Sequence, residues 1–334
     1  MSLKVLFIGG TGIISSACSA HAVEKGIDLY LLNRGHTASR PIPDGVTLLR
    51  GDIRDPESAR SALEGHDFDS VVNWIAYTPE QVEADLDLLR GRTGQYIFIS
   101  SASAYQTPPS SLPVTEATTL ANPFWGYSRN KIACEERLTR AYREESFPAT
   151  LVRPSHTYDR TLLPMDGGYT VIHRMRQGRP VIVHGDGTSL WTLTHHRDFA
   201  KGFVGLLGNH RAIGEAFHIT SDEVVTWDQI FRIFADAADA PPPTLVHVPS
   251  EVIAAYDPAW GAGLLGDKAH SMLFDNSKIK RFVPDFAATI PLSWGAKEVL
   301  AWYDADPARQ VVNEERDRLM DTIIEAQRKA LPNQ

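Results

Sequence analysis

Gly9-Gly10-Thr11-Gly12-Ile13-Ile14-Ser15 follows the apolar run Val5-Leu6-Phe7-Ile8 and opens a helical pattern. A strand that turns through glycines into a helix brings backbone amides together at the positive end of the helix dipole, with no side chains in the way. Such a turn suits a pyrophosphate, and it needs glycine both for tightness and for close approach of the backbone. Gly9, Thr11, Gly12, Ile13 and Ile14 are therefore the candidate cofactor contacts. The spacing differs from the GxGxxG form, because Ser15 stands where a third glycine would help the helix pack on the strand.

Working outward, apolar runs at residues 29–32, 46–49, 71–75, 96–99 and 150–152 alternate with helical patterns. Runs that lack polar alternation are buried on both faces, which predicts βαβ units: an α/β fold with a Rossmann-type doubly wound parallel sheet. Asp55-Pro56 and Thr78-Pro79-Glu80-Gln81 read as helix starts, each with an N-cap and a first-turn proline. After residue 155 the pattern loosens. A helix over 169–176, a strand at 181–184, a helix from near 197 and a strand at 216–220 precede Thr226-Trp227-Asp228-Gln229, a capping box. The helix it opens reaches about residue 237 and is ended by Pro241-Pro242-Pro243; further helices are expected over 293–303 and 312–329. Residues 1–155, with returns from about 180–220, would form the dinucleotide-binding core. Residues 156–180 and 221–334 would form a smaller substrate lobe with a C-terminal helix.

The 334 residues carry 33 Lys plus Arg against 41 Asp plus Glu, a formal charge of -8, which argues against a broad footprint for nucleic acid or anionic membrane. No apolar run nears the roughly 18 residues of a membrane span. Cys18 and Cys134 make neither a disulfide scaffold nor a cysteine-rich metal site, and the start Met1-Ser2-Leu3-Lys4 lacks a secretion signal, so a cytoplasmic setting is expected. His195-His196 has no partner at metal spacing, and no metal is expected. The charged stretch 313–328 reads as a solvated helix face or as a meeting surface for a second copy, which leaves a homodimer open.

At the end of the second strand, Asn33-Arg34-Gly35 stands where a carboxylate would grip a ribose diol. A carboxylate repels a 2′-phosphate and Arg34 attracts one, so the cofactor is NAD(P) with NADP favoured over NAD; otherwise Arg34 stacks on adenine or faces solvent. Gly51-Asp52-Ile53 places Asp52 and Ile53 near the adenine edge, or else forms a capped turn. Tyr127 and Lys131 lie one helical turn apart, where the cation favours the phenolate and makes the tyrosine a usable acid or base. Ser100-Ser101-Ala102-Ser103-Ala104-Tyr105 brings hydroxyls to the carboxyl end of the fifth strand, where ligands of open α/β sheets bind.

Taken as a set, GGTGIIS, DIRD, the strand ending ISSASAY, YSRNK with Glu135 beyond it, and Arg153-Pro154 resemble the extended short-chain dehydrogenase/reductases, the NAD-dependent epimerase/dehydratase family, over about residues 4 to 220. The resemblance implies that Tyr127 is the acid/base, that Lys131 holds the nicotinamide ribose and supports the phenolate, and that Ser101, with Ser103 as runner-up, bonds the reacting oxygen. Asn33-Arg34-Gly35, Ala76-Tyr77-Thr78-Pro79-Glu80-Gln81 and Ile219-Thr220-Ser221-Asp222-Glu223 are similar to an atypical branch that includes the chloroplast stem-loop RNA-binding proteins. Nucleotide-sugar members follow a GDG run with glutamine and arginine; here Gly185-Asp186-Gly187 is followed by Ser189 and Trp191, which removes a clamp for a substrate pyrophosphate.

The implied function is hydride transfer at a hydroxyl-bearing carbon of a sugar-like small molecule by an epimerase/dehydratase-type oxidoreductase. The alternatives are an NADPH-dependent reductase of a small carbonyl compound and a non-catalytic RNA-binding or regulatory dinucleotide protein. His156 and Trp191 are candidate substrate contacts, with loop packing and inter-lobe packing as their respective alternatives, and Trp125 is pocket wall or core. If Arg34 meets a 2′-phosphate, Arg34→Ala weakens NADPH binding more than NADH binding in paired titrations; equal losses for the two cofactors would contradict that role.

Overall fold

The computed structural model describes residues 2–35 and 40–330. Met1, residues 36–39 and residues 331–334, which the expected domain ranges include, lie outside the described residues. Seven strands form one parallel sheet: β1 (Lys4–Ile8), β2 (Asp28–Asn33), β3 (Thr47–Arg50), β4 (Ser70–Asn73), β5 (Tyr96–Ile99), β6 (Ala149–Pro154) and, after shorter strands, β11 (Ala216–Ile219). Their order is β11-β6-β5-β4-β1-β2-β3. The order of strand addition reverses between β1 and β4, which run parallel, and a crevice opens there at the carboxyl ends of the strands. Val5, Leu6, Phe7 and Ile8 are all 0% exposed, as expected for a strand covered on both faces.

β4 stops two residues short of the apolar run. Asn73 Oδ1 accepts from the Ile75 amide at 2.8 Å while its Nδ2 donates to buried Asp85 at 2.6 Å. The Trp74 amide still donates to Ile8 O at 3.1 Å, and the ladder ends at Ile75, whose amide is taken by the Asn73 side chain, so the chain leaves the sheet there and lines the crevice.

Helix α1 (Ile13–Glu24) begins at Gly12, whose amide donates to Ser15 Oγ at 2.7 Å. Serine in the third-glycine place thus satisfies one of the helix's orphan amides. α1 packs with α6 (His196–Val204) on one face of the sheet, with Phe199 and Phe203 at its core and Ile279, Val283 and Phe286 closing it from the C-terminal part. On the other face, α2 (Pro56–Ala62), α3 (Pro79–Leu89) and α4 (Gly126–Glu145) bury Leu86, Cys134 and Leu138. Asp55 caps α2 by accepting from Glu57 and Ser58, and Gln81 of α3 accepts from the amides of Tyr77 and Thr78.

The third core belongs to the lobe. It joins α5 (Tyr169–Arg176), α7 (Trp227–Ala237) and the helices Leu292–Asp304 and Glu314–Ala330 around Ile172, Trp191, Trp227, Ile230 and Val299. Three small strand pairs stitch it: β7 (Thr157–Tyr158) with β10 (Thr194–His195), β8 (Val181–His184) with β13 (Leu245–Val248), and β9 (Leu190–Trp191) with β12 (Val225–Thr226). The strand at 181–184 therefore pairs within the lobe, and the chain rejoins the central sheet at β11. Two short helices, Ser250–Tyr256 and Pro258–Gly263, occupy a stretch whose sequence reads as irregular.

α4 is tied to β6 by a buried ion pair. Arg153 donates to both carboxylate oxygens of Glu135 at 2.6 to 3.2 Å, and the two side chains are 6% and 2% exposed. Removing one partner leaves a buried charge unpaired. Glu135→Ala should lower unfolding free energy by about 3–5 kcal/mol in denaturant titration; a change below about 1 kcal/mol would show that the pair does not hold α4 in place.

Candidate active site

The crevice at the switch point is a cleft of about 680 Å³. Gly9 through Ser15 line one end, and Ser101, Tyr127 and Lys131 line the other. Gly9 and Gly10 have φ of +102° and +99°, conformations that L side chains rarely adopt. A Cβ on Gly10 would also lie 2.5 Å from Leu31 Cδ2. The loop therefore offers bare backbone and the start of a 12-residue helix to the cleft, which fits a pyrophosphate.

At the other end, Lys131 is 2% exposed and gives two protons to backbone carbonyls, Ala76 O and Ile99 O, both at 2.7 Å. One of its three N–H donors remains. Burial lowers its pKa to about 8. Tyr127 stands beside Trp125, ring centroids 4.9 Å apart, and its phenol is pushed up to about 12 by burial, with a hydrogen bond from Ser101 working against that rise.

Three serines set the direction of that bond. Ser128 Oγ donates to Ser103 Oγ at 2.8 Å, Ser103 Oγ lies 2.9 Å from Ser101 Oγ, and Ser101 Oγ also accepts from the Ser103 amide. With Ser103 already accepting from Ser128, its own proton goes to Ser101, and the Ser101 proton is left for Tyr127 and the cleft. Ser103 itself is 4% exposed and stands mainly behind Ser101.

The remaining candidates divide between the two ends. Thr11, Ile13 and Ile14 line the cleft with the glycines, and His156 lines it near Tyr127. Asn33, Arg34, Asp52 and Ile53 lie outside this lining. Asn33 Oδ1 accepts from the Gly35 amide, Arg34 is exposed, Asp52 accepts from the Arg54 amide, and Ile53 packs on the core under α2 and α3. Trp191 is 2% exposed and absent from the cleft wall; its Nε1 donates to His156 Nδ1 at 3.1 Å and its ring packs on Trp227. That bond makes His156 Nδ1 an acceptor, and burial lowers the His156 pKa to about 3, so the ring is neutral. His195 pairs with Glu298, and among the described residues no group of three His, Cys, Asp or Glu side chains is placed to hold a metal.

Three contributions escaped sequence reasoning. Arg50 sits opposite Asn33 in the parallel register, and its Nε lies 3.7 Å from where a Gly35 Cβ would be, so two guanidinium-bearing residues stand at the β2 end. Asp267 and Lys268 also line the cleft, brought in by a segment with no periodic signal. Asn122 has no motif at all, yet its Nδ2 donates to Ser103 O at 2.9 Å and Gly266 O at 2.6 Å. Spatial pairing supplies these residues, and only the β2–β3 register was open to a sequence argument.

Residues 5–220 match the model of the NAD dependent epimerase/dehydratase family. The chain is 28% identical to the chloroplast stem-loop binding protein of 41 kDa b of Arabidopsis thaliana over 73% of its length, and spans 65% of that relative. It is 26% identical to 2′-dehydrokanamycin reductase of Streptomyces kanamyceticus, covering 85% of this chain and 80% of that one. In fold it is similar to an epimerase from Methanothermobacter thermautotrophicus, with TM-score 0.73, 16% identity and 92% and 94% of the two chains covered. A UDP-glucuronic acid 4-epimerase from Bacillus cereus gives TM-score 0.72 at 18% identity, covering 91% and 99%.

A lysine whose pKa is lowered to about 8 is charged below that pH and loses its proton above it. NADPH affinity should therefore fall about tenfold between about pH 7 and 9 as a charge-assisted donor becomes neutral. Lys131→Met should bind weakly at both pH values. A pH-independent wild-type affinity, or full affinity in Lys131→Met, would contradict this role when measured by calorimetric titration.

Proposed function

The chain belongs to the NAD-dependent epimerase/dehydratase family, and on that premise we propose that it is an oxidoreductase that prefers NADP(H) and acts at a hydroxyl-bearing carbon of a sugar or sugar-like molecule. The observation that carries this reading is the convergence of Ser101, Tyr127 and Lys131 at one end of a cleft whose other end is the bare backbone of Gly9 to Gly12. When bound, the nicotinamide supplies or accepts the hydride.

The protein's own groups handle the proton. Tyr127 exchanges a proton with the substrate oxygen, and Ser101, whose hydroxyl proton points the same way, holds that oxygen. Lys131 keeps a positive charge near the phenol, which favours phenolate whenever Tyr127 has given its proton up. Its third N–H, which has no protein acceptor, would hold a ribose hydroxyl of a bound cofactor. Trp74 and Ile75, which follow β4, wall the cleft beside Gly9. Preference for NADP(H) is supported by exposed Arg34 and by Arg50 beside Gly35, neither of which has a carboxylate partner among the described residues.

A sugar-like substrate without a nucleotide agrees with the absence of the arginine clamp: Trp191, near that place, spends its only side-chain donor on His156. The similarity to 2′-dehydrokanamycin reductase, which extends over most of both chains, supports a second reading as a one-way reductase. The stem-loop binding relative gives the non-catalytic reading, against which stand the charge of -8 and the complete Ser, Tyr and Lys set. A cytoplasmic setting and a homodimeric assembly complete the proposal.

Tyr127→Phe keeps the ring and removes the proton carrier. NADPH affinity should stay within about twofold while turnover falls by at least about 100-fold. Turnover near the wild-type value would overturn the assignment. An absorbance scan and mass spectrum of the purified protein separates the two enzymatic readings: retained dinucleotide marks internal recycling, and a cofactor-free protein that consumes NADPH marks a reductase.

A further inference from the structure

The substrate side of the cleft is closed by residues Leu264–Lys268, a single π-helical turn of the lobe. The turn is fixed to the catalytic strand end by Asn122, whose side-chain amide donates to Ser103 O on one side and Gly266 O on the other. Gly266 is required at that contact, since a Cβ there would come 2.7 Å from Trp125 Cβ. The two residues that follow, Asp267 and Lys268, are thereby delivered to the cleft wall with Tyr127 and His156.

Their charges are not equally matched. Lys268 Nζ lies 4.0 Å from the carboxylate of Asp166. Asp267 accepts no hydrogen bond and makes no ion pair with any described residue. It is partly buried, its pKa is pushed up to about 6 by desolvation, and its negative charge reaches Tyr127 strongly enough to raise that phenol. A partly desolvated carboxylate without a protein donor is costly to the fold. No structural bond offsets that cost here, and a ligand that brings donors does.

Around this end of the cleft Asp267 and Asp166 stand against Lys268 and the buried Lys131, with His156 neutral, so the wall as a whole is balanced. The sign of the missing partner follows from Asp267, which has no hydrogen-bond donor and no ion-pair partner among the described residues. A further anion against its carboxylate adds repulsion, and a cation or a set of hydroxyl donors removes it. A cation on Asp267 also withdraws the charge that opposes the Tyr127 phenolate, so the same contact that selects the substrate readies the proton carrier.

We propose that Asp267 is a substrate-binding carboxylate that selects a polyhydroxylated ring bearing a protonated amine over a neutral or acidic one. The proposal rests on the reading of the cleft as an oxidoreductase site. It specifies the substrate class of that site: an amino sugar or aminocyclitol, with the ammonium placed on the lobe side of the reacting carbon.

The test measures binding to the NADPH-loaded full chain by calorimetric titration, with glucosamine, glucose, glucuronate and UDP-glucose as probes. Glucosamine should bind at least about tenfold more tightly than glucose or glucuronate, as expected for replacing a neutral hydrogen bond by a charge-assisted one. Asp267→Asn, which keeps the shape and removes the unpartnered charge, should erase that advantage, leave NADPH affinity unchanged and leave the melting temperature of the NADPH complex no lower than that of the wild type. Glucuronate or UDP-glucose binding more tightly than glucosamine, an undiminished advantage in Asp267→Asn, or no saturable glucosamine binding overturns the proposal. Failure of NADPH itself to bind the wild-type chain is a different result, since it removes the oxidoreductase reading on which the proposal stands.

Discussion

One buried ammonium holds the catalytic end together. Lys131 comes from α4, on one face of the sheet, and its Nζ is bonded to Ile99 O at the end of β5 and to Ala76 O in the segment that leaves β4. A charge this deep is tolerated only with its hydrogen bonds made, and the two carbonyls make them. The consequence is geometric: α4 cannot slide along the sheet without stranding the charge, so Tyr127, one turn earlier on the same helix, is held over Ser101. Asp85 acts one step further back, through Asn73, by bending the β4 exit so that Ala76 can meet the lysine.

The lobe depends on the same turn from the other side. Asn122 joins Ser103 to Gly266, and the three-serine chain from Ser128 through Ser103 ends at Ser101. The groups proposed to recognise a substrate and those proposed to move its proton are thus fixed to a single strand end. The small errors in placement that cost rate are prevented by shared hydrogen bonds rather than by two separately held surfaces.

Much of this was legible in the sequence because local rules and the fold agree there. Glycines at a strand-to-helix turn, β-strands without polar alternation, capping residues before helices, and a tyrosine and lysine one turn apart each have a meaning that survives without tertiary information. The strand expected to run to residue 75 ends short of it because the Asn73 side chain takes the Ile75 amide, a competition that apolar patterning does not register. Arg50 becomes informative only once β3 is known to lie beside β2. Asp267, Lys268 and Asn122 carry no period and no motif, since each owes its position to a contact between segments more than 100 residues apart or to a turn type with no sequence signature. Trp191, a candidate ligand contact by sequence, lies behind His156 because its indole donor and its flat ring both find protein partners first.

The central claim is that this cleft holds a nicotinamide dinucleotide with its reactive end against Tyr127 and Lys131. Trp125 lines the cleft beside Tyr127 and Trp74 lines it against Gly9, so a bound reduced nicotinamide should quench their emission by energy transfer. A fluorescence titration of the unmodified protein with NADPH is the most direct measurement. Saturable quenching of tryptophan emission, accompanied by sensitised nicotinamide emission and requiring more NADH than NADPH for half-saturation, is the predicted result. Tryptophan emission that stays flat through millimolar additions of both cofactors would contradict the account.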